Sequence, residues 1–237
     1  MPLWLGSGNR IDPTAVIGEG VRIGANNTIG PYAVIVGDTS IGDGNWIAPH
    51  AVIGTPAEWR DKPLPAGWDG DAGEGRVVVG DRNVIREFVT VSAGVEQATR
   101  IGDDCYLMAR SHLGHDVVIE DGVTLATAAQ LGGFSNVWSW AFLGLGCQVH
   151  QWGQIGPGAM VGMGAAVVHP VPPFRTVVGM PAKPIGINRV GLRRLGVSDE
   201  VIDEYAAAMA ADADPPTELP DRVREMLSRW AKVMDRR

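Results

Sequence analysis

Aliphatic residues recur at every sixth position through most of this chain. They stand at Ile11, Ile17, Ile23, Ile29, Ile35, Ile41, Ile47 and Ile53, then at Val79, Ile85 and Val91. After a second break they run in phase through Ile101, Leu107, Leu113, Ile119, Leu125, Leu131, Val137, Leu143, Val149, Ile155, Val161 and Val167. A period of six is neither that of a helix nor the alternation of an ordinary strand. It suits a short strand plus a turn, with one aliphatic side chain per strand pointing into a shared core. Three such units close a triangular coil, and stacked coils form parallel sheets with strands ~4.8 Å apart. The fold class expected is therefore mainly β, a parallel β-helix built of six-residue repeats. The 32 glycines and only 4 phenylalanines fit a core of small aliphatic side chains and many tight turns.

The breaks read as loop insertions at residues 54–78 and 92–100. The first holds Pro56, Pro63, Pro65, Gly67, Gly70, Gly73 and Gly75, which resist strand pairing. The repeat fades near His169–Pro173. Beyond it, Ser198 reads as a helix N-cap followed by Asp199 and Glu200. Val201, Ile202, Tyr205, Ala206 and Met209 form one apolar stripe, and Val223, Met226, Leu227, Trp230 and Val233 a second. The division expected is a β-helix over 1–187 and a small C-terminal α-helical domain over 188–237. Those helices are expected to cap the open end of the solenoid or to pack on a neighbouring subunit.

A net charge of −7 argues against general nucleic-acid binding. No Asp or Glu occurs from Gly122 through Ser198, and that stretch ends in Arg175, Lys183, Arg189, Arg193 and Arg194. An anionic partner such as a nucleotide or an acidic carrier protein could bind there, or the cations could simply be a solvated surface. The first ten residues lack the pattern of a signal peptide, and no apolar run is long enough to span a bilayer. Cys105 and Cys147 are placed on different faces, so no disulfide is expected. A cytoplasmic protein without membrane insertion is the expectation.

The polar cluster richest in chemistry is Ser111-His112-Leu113-Gly114-His115-Asp116. His115 is two positions past the anchor Leu113 and should point outward. Gly133 lies one coil above it and Gln151 two, so His150 sits roughly 9.6 Å along the axis. His115 has the intrinsic basicity of a general base. Asp116 could orient its ring, and the backbone N–H of Gly133 is open to a developing oxyanion. That grouping suggests acyl transfer. A zinc site is the other reading of the histidines, but two coils are too far for shared ligands within one chain. No metal is expected.

At these residues the chain resembles the acyl-carrier-protein-dependent UDP-N-acetylglucosamine O-acyltransferases, hexapeptide-repeat enzymes of lipid A synthesis. The likeness rests on Ile11-Asp12-Pro13-Thr14-Ala15, Gly80-Asp81-Arg82-Asn83, Ile85-Arg86-Glu87, His112-Leu113-Gly114-His115-Asp116, Val149-His150-Gln151 and Gly191-Leu192-Arg193-Arg194. The resemblance implies a left-handed parallel β-helix and a homotrimer with active sites between subunits. It implies no tightly bound cofactor; the acyl donor is a thioester of acyl carrier protein. His115 matches the family's base, Asp116 its partner and Gly133 the oxyanion donor. His112, His150 and Gln151 match substrate contacts. Asn188 and Arg194 match positions that touch the donor or the nucleotide sugar, and Lys62 a lysine near the sugar phosphates. Met163, outward by register, matches a ruler position at which methionine implies a short to medium acyl chain.

The recognition shell departs from the family. Phe134 and Gly158 stand where the family has histidines. Val190 replaces a glutamate, Leu195 an arginine and Pro181 a histidine. Gly179–Ile185 instead resembles the Gly-x-Pro-Ala-Lys segment of coenzyme A-dependent acetyltransferases. A coenzyme A thioester as donor, with another amino sugar or small molecule as acceptor, is therefore an alternative. A γ-carbonic anhydrase-like metalloenzyme and a non-catalytic solenoid are further readings.

Overall fold

The structure, a computed structural model, describes residues 3–61, 64, 75–211 and 213–235. The six-residue period becomes three parallel sheets wrapped around one aliphatic core, a parallel β-solenoid. The first sheet runs from Trp4–Leu5 to Gln154–Ile155, the second begins at Arg10–Ile11, and the third runs from Val16–Ile17 to Ala166–Val167. Most strands are two residues long. One residue of each pair points in and the other out.

All the anchors are buried except Ile11 and Ile17 at the N-terminal end, which are half-buried. A second inward position lies two residues before each anchor. Val21, Ala33, Ala51, Val123, Ala129 and Ala159 occupy it, all fully buried. Cys105 and Cys147 belong to the same set, buried and free of any disulfide. Burial pushes both thiols up to about 12, so they act as small apolar core residues.

The insertions leave the register intact. Ile23 pairs with Ile41, Ile41 with Val79, Val79 with Ile101 and Ile101 with Ile119. Extra residues are extruded at the corners while the anchors stay stacked. At one inner corner, asparagines continue the ladder. Asn27 Oδ1 accepts the Asn45 N–H at 2.7 Å, Asn45 Oδ1 the Asn83 N–H at 2.9 Å, and Asn83 Oδ1 the Cys105 N–H at 2.8 Å. Cys105 supplies no amide to extend the series, and among the described residues Asn83 Nδ2 has no partner.

The sheets continue past 169–173, where the six-residue repeat fades, as far as Ile187. Val171 bridges to Ile155, and the second sheet gains Arg175–Val178 and the antiparallel Lys183–Ile187. Three helices follow: α1 (Arg189–Arg194), α2 (Asp199–Ala210) and α3 (Asp221–Met234). Ser198 caps α2 by accepting the Val201 N–H. Ile202 and Tyr205 of α2 and Val223 and Met226 of α3 pack with Leu192 around Phe174. This second core closes the end of the solenoid. The capping expectation covers only part of the arrangement, because α3 also lies back along the flank of its own chain. Trp230 meets Trp138 edge to face at 5.5 Å, Arg229 pairs with Glu120 at 2.6 Å, and Arg222 sits 4.4 Å over the Trp140 ring. The outward Trp138 and Trp140 offer apolar area that the sequence stripe of α3 matches.

Candidate active site

The third sheet builds the site. In the strand His112–Leu113 the leucine enters the core, so His112 faces outward. The chain then turns through Gly114 and His115 to Asp116, which takes a left-handed conformation at φ 61°. That turn leaves the His115 side chain 16% exposed and the Asp116 side chain fully buried. His115 Nδ1 lies 2.8 Å from Asp116 Oδ2.

Asp116 is gripped from behind by the second insertion. Its carboxylate accepts the N–H groups of Val95 at 2.9 Å, Glu96 at 2.8 Å and Gln97 at 2.7 Å. Gln97 Nε2 donates to its carbonyl, and its own N–H donates to Thr99 Oγ1. Burial alone would push the Asp116 carboxyl up. The Gln97 N–H, the His115 ring and the N–H groups of Val95 and Glu96 outweigh it and hold the group below its usual range. Bonded to an ionised Asp116, His115 carries its proton on Nδ1 and has its lone pair on Nε2.

Gly133 lies directly above. A Cβ there would stand 2.7 Å from both Cε1 and Nε2 of His115. Only glycine lets the imidazole edge lie against the backbone. Among the described residues the Gly133 N–H has no acceptor. A donor N–H and a basic ring nitrogen thus adjoin one opening.

That opening is a cavity of about 560 Å³ walled by Glu58, His112, His115, Gly133, His150 and Gln151, with Gln130 and Gln148 on the strands above His112. His112 Nδ1 meets Thr90 Oγ1 at 2.8 Å, and its Nε2 is 3.9 Å from Glu58. Burial lowers the His112 pKa, partly offset by the Glu58 carboxylate. His150 and Gln151 are exposed, and His150 Nδ1 is 3.0 Å from the Gln151 carbonyl.

The remaining expected residues lie elsewhere. Asn188 and Arg194 line a second cavity of about 720 Å³ on the second sheet, with Trp140, Phe142, Met160 and Arg222. The Asn188 amide is already engaged: Oδ1 accepts the Gly191 N–H and caps α1, and Nδ2 donates to the Gly158 carbonyl at 2.9 Å. Met163 is 75% exposed, as its register predicts, but stands at the corner between the second and third sheets. Lys62 lies outside the described residues. Val190 and Leu195 line the second cavity, and the ring of Phe174 occupies the space beside Gly158. Among the described residues no three His, Cys, Asp or Glu side chains converge as a metal site.

Several site residues escaped the sequence reading. Gln130 and Gln148 could have been found, because they stand in register above His112. Thr90 likewise stands in register below His112, whereas Glu58 and the amides of Val95–Gln97 lie inside insertions, where the six-residue register is lost.

The chain's similarities run in the same direction. A family model described as UDP N-acetylglucosamine O-acyltransferase, domain 2, matches residues 171–232, and bacterial transferase hexapeptide repeats match 3–37 and 98–133. An acyl-[acyl-carrier-protein]–UDP-N-acetylglucosamine O-acyltransferase of Burkholderia thailandensis is 42% identical over 136 residues, 56% of this chain and 52% of the relative. One from Herminiimonas arsenicoxydans is 46% identical over 127 residues, 52% of this chain and 48% of the relative. The chain thus spans about half the length of the curated relatives it matches. Among solved structures, the UDP-N-acetylglucosamine acyltransferase from Campylobacter jejuni superposes with a TM-score of 0.81 at 25% identity, covering 95% of this chain and 90% of the other. The corresponding protein of Bacteroides fragilis gives 0.74 at 27% identity, covering 93% and 94%. In repeat, in C-terminal segment and in fold, this chain is similar to the acyl-[acyl-carrier-protein]–UDP-N-acetylglucosamine O-acyltransferases.

Proposed function

We propose that this protein is an acyltransferase that moves a short to medium (hydroxy)acyl chain from an acyl-carrier-protein thioester to a hydroxyl or amine of a UDP-N-acetylglucosamine-like nucleotide sugar. The observation that carries the reading is the His115 imidazole, tied through Nδ1 to Asp116 and edge-on to Gly133. Nε2 removes the proton from the acceptor atom as that atom attacks the thioester carbonyl. The Gly133 N–H holds the tetrahedral oxyanion. Collapse expels the thiolate, which takes the proton back from the imidazolium. The relatives' names supply the donor and the acceptor.

The site residues divide between two faces of one chain: His112, His115, His150 and Gln151 on one, Asn188 and Arg194 on the other. In the homotrimer we propose, the second-sheet cavity of one copy meets the His115 face of the next. Trp46, 40% exposed, with Phe142 and Met160, gives the second sheet an apolar outer surface suited to that contact. Lys62 and Arg194 would serve the acceptor's phosphates. Met163 would limit the acyl chain, so Met163→Gly should lengthen the chains accepted.

The test is thioester release with acyl-carrier-protein thioesters of graded length against nucleotide sugars, with the product identified by mass spectrometry. His115→Ala should remove turnover while the fold and assembly survive; retained turnover sinks the mechanism. Acetyl-coenzyme A assayed alongside decides the second reading, which the Gly179–Ile185 segment favours.

A further inference from the structure

We infer that Trp59 and Phe134 form an aromatic clamp packed together against one side of His115, which keeps its Nε2 edge against Gly133 and favours the imidazolium formed there during catalysis. The inference rests on the reading of His115 as the base. Trp59, half-buried in the segment after the strand Val52–Thr55, places its ring centroid 5.2 Å from that of His115 at an interplanar angle of 44°. Phe134 meets the same imidazole edge to face at 5.1 Å and 87°, and the two aromatic rings meet each other edge to face at 6.3 Å and 79°. Trp152 lies parallel on Phe134 at 3.9 Å and backs it. Asp116 holds Nδ1 and Gly133 lies against the Cε1–Nε2 edge, so the rings complete the enclosure of the imidazole.

Asp116, Phe134 and Trp152 hold the same corner position in successive coils, at φ 61°, 59° and 64°. The corner demands a left-handed conformation, which glycine and asparagine adopt readily and bulky rings resist. In this solenoid the same conformation also carries Tyr32, Phe88 and Trp140, so the corner accepts aromatic rings and fixes the direction in which Phe134 projects. The rings do not wall the cavity, whose sides are the polar groups Glu58, His112, Gln130, Gln148 and His150. They back the base instead.

A general base is neutral before proton abstraction and cationic after it. Aromatic quadrupoles attract the cation, so the clamp acts more strongly on the transition state than on the resting enzyme. The other groups facing His115 are Asp116 on its own turn, Glu58 beside Trp59, His112 on the preceding strand and His150 above. Glu96 contributes its N–H to Asp116, while its side chain is exposed.

The test uses the full chain and two readouts. Trp59→Leu keeps apolar cover over the imidazole but removes the quadrupole. In thioester release with acyl-carrier-protein thioester and UDP-N-acetylglucosamine, its kcat should fall roughly tenfold with both KM values within about twofold. The acid limb of kcat and the His115 titration, followed by NMR at Cε1 without turnover, should move down together. Phe134→Leu should shift both readouts in the same direction, and Trp59→Phe should recover most of the loss. A Trp59→Leu protein with unchanged kcat and an unchanged His115 titration overturns the clamp, as does a loss confined to KM. Turnover in His115→Ala overturns the base assignment; an inactive His115→Ala beside an unaffected Trp59→Leu overturns the clamp alone.

Discussion

Asp116 shows how much one buried charge can require. Its carboxylate takes three backbone N–H groups and one imidazole nitrogen, at 2.7–2.9 Å. Asp116→Asn presents an NH₂ group to donors and should destabilise the protein by about 2 kcal/mol or more, since bonds to a charged group contribute about 1.5–3 kcal/mol each. Turnover should fall with it, because the His115 tautomer is no longer fixed. The pH dependence has a defined sign. The folded pKa of Asp116 is depressed, so its stabilisation is complete above the ordinary carboxylate value and is lost as pH falls through the lower folded value. The gap in urea midpoint between the native protein and Asp116→Asn should therefore be widest near neutrality and shrink in acid; a gap that widens in acid contradicts this. His115, Asp116 and Gly133 could all be singled out from sequence because they lie in unbroken register. The partners of Asp116 could not, because they are backbone groups in an insertion.

Among the elements, the insertion at 92–100 has a role that its composition conceals. It is a tight turn whose amides converge on Asp116. Gly94 makes the turn possible: a Cβ there would stand 1.7 Å from the Gln97 carbonyl oxygen. Gly94→Ala should open the turn and loosen Asp116. The expected outcome is a fall in kcat larger than any shift in melting temperature implies, measured by thioester release beside a thermal melt. The strands contribute differently. Leu113 is fully buried in the core, and Leu113→Ala should cost about 2–5 kcal/mol through lost burial and a cavity. At the asparagine corner, Asn45→Ala would orphan the Asn83 N–H and should cost about 1–3 kcal/mol. Denaturant unfolding ranks these variants.

For the whole molecule, the placement of α3 joins the helical end to the solenoid flank. The Arg229–Glu120 pair is half-exposed on the arginine side, so it should contribute no more than about 1 kcal/mol. Trp230 is buried against Trp138, and Trp230→Ala should cost about 3–5 kcal/mol if the whole chain unfolds as one unit. Melting curves of Trp230→Ala and Arg229→Ala compare the two; a larger effect from the arginine would mean that charge pairing, not apolar packing, holds α3. The separation of the two cavities also belongs to this scale. Register assigns a face to residues within the repeat, but Arg194 lies in α1 beyond it, so only the tertiary structure puts it on the second-sheet face, away from His115.

The amino-acid sequence determined the solenoid because a six-residue period repeats one local solution, and every anchor must find the same interior. It determined the outward direction of His115 and Met163 and the stacking of Gly133 over His115 for the same reason: register alone fixes them. Tertiary structure decided what surrounds that register. It brought Trp59 onto His115 from one insertion and the amides of Val95–Gln97 onto Asp116 from another. It also laid α3 along Trp138. Those contacts join residues whose separation in the chain has no period, so no local rule predicts them.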